Sequence, residues 1–103
     1  MSNKFHAKRT WSNFCERWFS SKAECVRSEE LKALELYGAI ENLEYQKRFV
    51  LSESPRVTIT IDFAYKEDGI QKYEDTKGVL TRDFRTKLCW LKEKYDVDVL
   101  LGK

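Results

Sequence analysis

Histidine occurs once in this chain, at His6, proline once, at Pro55, and glycine only four times. A lone histidine excludes histidine-rich zinc sites and Ser-His-Asp catalysis, and leaves carboxylates and lysines as the available chemistry. Cysteine is scarce as well. Cys15, Cys25 and Cys89 are odd in number and form no Cys-x-x-Cys pair, so reduced, partly buried thiols are expected rather than a disulfide framework or a zinc site. No stretch rich in proline, glycine or serine marks a linker, and no internal repeat is visible, so the 103 residues read as a single domain, 1–103. Apolar runs are only a few residues long, and the segment Met1 to Arg9 lacks the apolar core of a secretory signal. A cytoplasmic protein with no membrane association is expected.

What the chain has in quantity is charge. Charged residues make up 35% of it, yet 42% are hydrophobic and 14% aromatic, enough for a folded core. The formal net charge of +2 is unevenly spread. Residues 1–27 carry Lys4, Lys8, Arg9, Arg17, Lys22 and Arg27 against Glu16 and Glu24, and residues 80–95 carry Arg82, Arg85, Lys87, Lys92 and Lys94 against Asp83 and Glu93. Residues 28–45 between them are acidic. Two basic segments around an acidic one suit a track for a phosphate backbone, and two ordinary solvated faces account for the same distribution.

Residues 1–20 mix basic and aromatic side chains without a clean period and read as an irregular arm with a turn or short strand. Its aromatics suit stacking on bases, although Trp11, Trp18 and Phe19 in a small domain are more often cover for the core. Ser21 and Glu24 form a capping-box pattern and Gly38 is a natural stop, which predicts a helix over 22–37. At ~100° per residue Glu24 falls in line with Leu31, whereas Glu29 points almost oppositely and Glu30 to the side. Glu24 is thus the glutamate aimed inward. A connector over 39–44 and a short strand over 45–51 follow. The alternation of Val57, Ile59, Ile61, Phe63 and Tyr65 predicts a strand with Asp62 on its other face, and Asp68-Gly69 predicts a hairpin to a strand over 70–77. Thr81 caps a second helix to about Tyr95, with Phe84, Leu88, Leu91 and Tyr95 as its apolar stripe and Lys87 on one flank. Residues 97–101 close as a strand.

The most suggestive chemistry lies in Tyr73-Glu-Asp-Thr-Lys-Gly78, where Asp75 and Lys77 share one face of extended chain. A carboxylate beside an ammonium can hold a divalent metal and orient water or steady a phosphate, and a solvated strand face or a cross-strand ion pair accounts for the same triplet. The hairpin brings Asp62 toward both.

The order helix, three strands, helix, strand resembles the minimal core of the PD-(D/E)xK nuclease superfamily. The chain is most similar there to small phage-encoded endonucleases related to Holliday-junction resolvases and to the TnsA-like transposition endonuclease. Ser21 to Glu24, Leu31 and Leu34, Gly38 and Ile40, Asn42-Leu43-Glu44 with Gln46, Phe49 and Leu51, Asp62-Phe63 with Tyr65, Glu74 to Gly78, and Thr81 with Phe84 and Lys87 carry the likeness. Ile61 stands where the superfamily's name has proline. The resemblance implies an α/β fold with a restriction-endonuclease-like mixed sheet flanked by helices. It implies Glu24, Asp62, Asp75 and Lys77 as the catalytic set. Mg²⁺ or Mn²⁺ would be held by Asp62, Asp75, the Thr76 carbonyl and Glu24, while Lys77 orients water. Gln46, Thr81 and Lys87 would position substrate; separately, the basic N-terminal segment places Lys8 and Arg9 to contact the backbone. The expected activity is metal-dependent hydrolysis of DNA leaving 5′-phosphate and 3′-hydroxyl ends, on branched or structured DNA, by a homodimer. A sequence-selective nickase and a non-catalytic nucleic-acid-binding module on the same fold are the alternatives.

Overall fold

The computed structural model describes residues 8–76 and 80–102. Both helices begin as their caps predict. The Ser21 hydroxyl accepts from the Glu24 N–H at 3.1 Å and Gly38, at φ +87°, turns the chain out of the helix, so α1 spans Lys22–Tyr37. Thr81 does the same for the Phe84 N–H, also at 3.1 Å, and opens α2, Arg82–Tyr95.

Four strands form one sheet in sequence order: β3 (Glu41–Glu53), β4 (Arg56–Glu67), β5 (Ile70–Asp75) and β6 (Val99–Leu101). The first three pair antiparallel and β6 pairs parallel to β5, which makes the sheet mixed. Asp68 and Gly69 both take positive φ, 53° and 78°, as a tight hairpin turn between β4 and β5 requires. The expected 39–44 connector is shorter than predicted, because β3 already begins at Glu41. The last strand begins later, at Val99 rather than 97.

The N-terminal arm is more regular than its sequence suggests. Two strands, β1 (Thr10–Ser12) and β2 (Arg17–Phe19), pair antiparallel as a hairpin of their own. The hairpin is fastened to α1 by the buried Ser12 hydroxyl, which donates to Glu29 Oε2 at 2.6 Å, and by Lys32, which donates to the Phe14 carbonyl at 2.8 Å. Glu29 therefore does not point into open solvent as a bare helical wheel predicts. Phe19 is buried as core cover, but Trp11 and Trp18 are not, at 44% and 54% exposure.

The apolar series of β4 divides at Asp62. Ile59 and Ile61 join Leu51 with Phe84 and Leu91 of α2, whereas Phe63 and Tyr65 join Ile40 with Leu31 of α1. Ladder pairs Tyr45↔Phe63 and Lys47↔Ile61 flank the break, and Gln46, opposite Asp62, takes φ +55°. A left-handed glutamine in mid-strand costs on the order of 1–3 kcal/mol and persists only where its surroundings hold it.

Arg27 of α1 reaches Glu74 of β5 in a two-pronged pair, Nε to Oε2 at 2.5 Å and Nη2 to Oε1 at 3.0 Å. Tyr65 donates to the same Oε1 at 2.9 Å. Glu74 is buried, so this triad ties α1 to β5 next to Asp75. Among the described residues, no helix is long and apolar enough to cross a membrane.

Candidate functional site

Three carboxylates from three elements meet where α1, β4 and β5 converge. Glu24 sits in the first turn of α1 at 3% exposure, with Oε1 accepting from the Ser20 hydroxyl at 2.6 Å. Its Oε2 accepts from Gln46 Nε2 at 2.9 Å, and the same amide lies 3.5 Å from Asp62 Oδ1. The left-handed backbone at Gln46 thus serves an amide that bridges a helix and a strand. Asp62 Oδ2 accepts from both the N–H and the hydroxyl of Thr76, at 3.0 and 2.9 Å. The Asp62 N–H in turn donates to Oδ2 of the fully buried Asp75 at 3.2 Å. Glu24, Gln46, Asp62, Thr76 and Asp75 form one connected network.

The network is looser than a closed metal cage. Among the described residues, no three carboxylate, thiol or imidazole groups stand close enough to hold an ion as they are. Two aspartates on adjacent strands nevertheless make a donor set of hard oxygens. Mg²⁺ takes one or two carboxylates and keeps its remaining positions for water and substrate phosphate.

The other predicted residues fall into place unevenly. Lys77 lies outside the described residues, as does Lys4. The Thr81 hydroxyl is engaged as the α2 cap, and Lys87 Nζ lies 3.3 Å from Asp83 one turn earlier. The second basic segment is also partly spent. Lys92 pairs with Asp96 and Asp98, and Lys94 donates to the Leu51 carbonyl, which leaves Arg82 and Arg85 exposed.

Arg17 and Trp18, which the sequence placed only within a basic and aromatic arm, adjoin the site. A cavity of about 360 Å³ is lined by Glu24 and Gln46 of the network together with Arg9, Arg17, Trp18 and Ser20. Arginines alternating with tryptophans in the arm were the available signal, obscured because Trp18 resembles a core residue on composition alone. A larger cleft of about 690 Å³, along Val26, Arg27, Leu100 and Leu101, meets the network only at Thr76.

Electrostatics reinforce the frame that holds α1 against β5. Hydrogen bonding to Glu74 holds the Arg27 guanidinium firmly protonated. Burial, with help from the same Glu74, pushes the Tyr65 hydroxyl up to about 12, so Tyr65 stays a hydrogen-bond donor through the neutral range. Burial also pushes the Cys25 thiol up, which leaves it inert.

One family model, described as protein of unknown function (DUF1064), matches residues 2–101. The chain belongs to that family. Searches of curated proteins and of solved structures returned no match. The match covers both helices, every strand of the main sheet and all five residues of the network.

Proposed function

We propose that this chain is a metal-dependent DNA endonuclease of the PD-(D/E)xK type, acting on branched or otherwise structured DNA as a homodimer. The observation that carries the reading is the convergence of Glu24, Asp62 and Asp75, joined through the Gln46 amide and the Asp62 N–H. Burying Glu24 and Asp75 is costly, and a module that only binds phosphate gains nothing from clustered carboxylates, which favours catalysis over the binding-module alternative.

Asp62 and Asp75 would hold Mg²⁺ or Mn²⁺, with the Thr76 carbonyl and Glu24 supporting. When bound, the ion would polarise the phosphate and lower the pKa of a water. Gln46 spaces Glu24 from Asp62 and keeps both carboxylates aimed at the same region. Lys77, two residues past Asp75, would orient the attacking water and offset charge on the phosphate. One domain offers one such site, so a junction or duplex with two strands to cut calls for two copies.

The direct test incubates the purified protein with supercoiled plasmid, linear duplex, single-stranded DNA, RNA and a four-way junction, each with Mg²⁺ or with EDTA. Cleavage of DNA that needs the metal and leaves 5′-phosphates is expected, fastest on the junction. A protein inert toward every DNA in both Mg²⁺ and Mn²⁺ is not a nuclease.

Glutamate substitutions along α1 probe the network separately. Glu24→Gln is expected to lower cleavage by about a hundredfold, the range for residues that orient metal ligands. Glu29→Gln and Glu30→Gln should stay within about twofold, because Gln can still accept from Ser12 and Glu30 is exposed beside Arg27. Equal losses at all three in a single-turnover assay would remove Glu24 from the site.

A further inference from the structure

The cavity beside the carboxylates has the make-up of a nucleotide subsite. Trp18 is more than half exposed, stands edge-on to Trp11 with ring centroids 5.5 Å apart, and carries the Arg9 guanidinium 4.9 Å above its ring. Arg17 lies 4.3 Å over the Tyr45 ring and 5.6 Å from Phe19. Among the described residues, neither arginine takes part in an ion pair. Two cations held by aromatic faces, an exposed indole, and a wall shared with Glu24 and Gln46 are thus brought together in about 360 Å³. That volume is at the small end of the roughly 300–1,000 Å³ of small-molecule sites, suited to one nucleotide and too small for a base pair with its backbone.

We infer that this cavity receives one unpaired nucleobase of the DNA substrate, stacked on Trp18, with Arg9 and Arg17 on the flanking phosphates. The inference rests on the nuclease reading and specifies its substrate. In the free protein the Arg9 guanidinium occupies the indole face. A base displaces it, and the exposed arginine turns its charge to the backbone, where cations supply most of the affinity for nucleic acid. A base held there places the adjoining phosphate beside Glu24 and Gln46. A paired base would first have to be unstacked and unpaired, a cost that a bulge, gap or flap has already met. Selectivity for structured DNA then arises from this cavity and not from readout of a sequence.

The test uses the full chain in EDTA, so that binding is measured without cleavage. In a Trp11→Phe/Trp90→Phe background the emission comes from Trp18 alone, since the chain has three tryptophans. The probes are duplexes with a one-nucleotide bulge carrying thymine, the same bulge with an abasic residue, and the fully paired duplex. The thymine bulge should quench the emission and bind about tenfold or more tighter than the abasic bulge, the lower range of stacking on an aromatic side chain. Trp18→Ala should erase that difference and Trp18→Phe should keep part of it, with circular dichroism confirming that both fold. Arg17→Gln should weaken thymine and abasic probes alike and flatten the salt dependence. Equal affinity for thymine and abasic bulges, or discrimination that survives Trp18→Ala, overturns the subsite. Cleavage of the same probes in Mg²⁺ by the wild type tests the nuclease reading separately: cleavage without base discrimination removes only the subsite, and discrimination without cleavage removes only the nuclease.

Discussion

Asp75→Asn is expected to slow single-turnover cleavage at saturating Mg²⁺ by at least about a thousandfold, while DNA binding in EDTA stays within about threefold of wild type. Asparagine has nearly the same shape as aspartate and can still accept from the Asp62 N–H, now at 3.2 Å, so the β4–β5 hairpin should survive. What it lacks is the negative charge that a divalent ion needs from its ligand. Metal assistance is worth several kcal/mol, and each ~1.4 kcal/mol is a factor of ten, so three powers of ten is the lower bound. Binding moves little because a lost carboxylate near phosphate relieves repulsion rather than removing a contact. Near-normal cleavage by a folded Asp75→Asn protein would remove Asp75 from the chemistry and leave it a structural role.

The largest loss of stability is expected from Arg27→Ala, about 3 kcal/mol. Removing the guanidinium leaves the Glu74 carboxylate buried with the Tyr65 hydroxyl as its remaining partner from the triad. Breaking a buried pair from one side costs about 3–5 kcal/mol, and the one-third exposure of Arg27 argues for the lower end. For a domain of this size that lowers Tm by about 10–20 °C. Glu74→Gln should cost less, because Arg27 can turn to Glu30 and to water while glutamine still accepts from Tyr65. Urea denaturation of the two variants decides the matter. Arg27→Ala losing under about 0.5 kcal/mol, the range of surface substitutions, would show that the pair does not clamp α1 to the sheet.

The parts of this fold that were legible in the sequence are those fixed by local chemistry. Ser21, Gly38 and Thr81 set the helix ends through bonds that each cap makes within four residues, and Asp68-Gly69 sets its hairpin in the same way. Glu24 was found because a capping pattern and a helical wheel agree there. α1 gives only a weak apolar stripe, since its buried face reads Glu24, Cys25, Ser28 and Leu31, half polar where it meets the network. The β1–β2 hairpin escaped notice because three-residue strands are too short to show a period. The division of the β4 series at Asp62 escaped because glutamine has no preference for the left-handed conformation that Gln46 adopts. Both misses depend on tertiary contacts, with Glu29 in one case and with Glu24 and Asp62 in the other.

The distortion of β3 also bears on how copies of this chain behave when crowded together. β3 is a sheet edge of 13 residues, long enough to recruit a strand from a neighbouring molecule along its open side. Asn42 and Gln46, both with positive φ, interrupt it twice, and its ladder slips between Glu41 and Glu44 and again between Val50 and Ser52. A bulged edge carrying Glu44, Lys47 and Arg48 offers no flat run of unpaired amides for cross-β growth. Straightening it for the sake of stability would expose an aggregation template, so the kink that aims Gln46 also blunts the edge against pairing between copies.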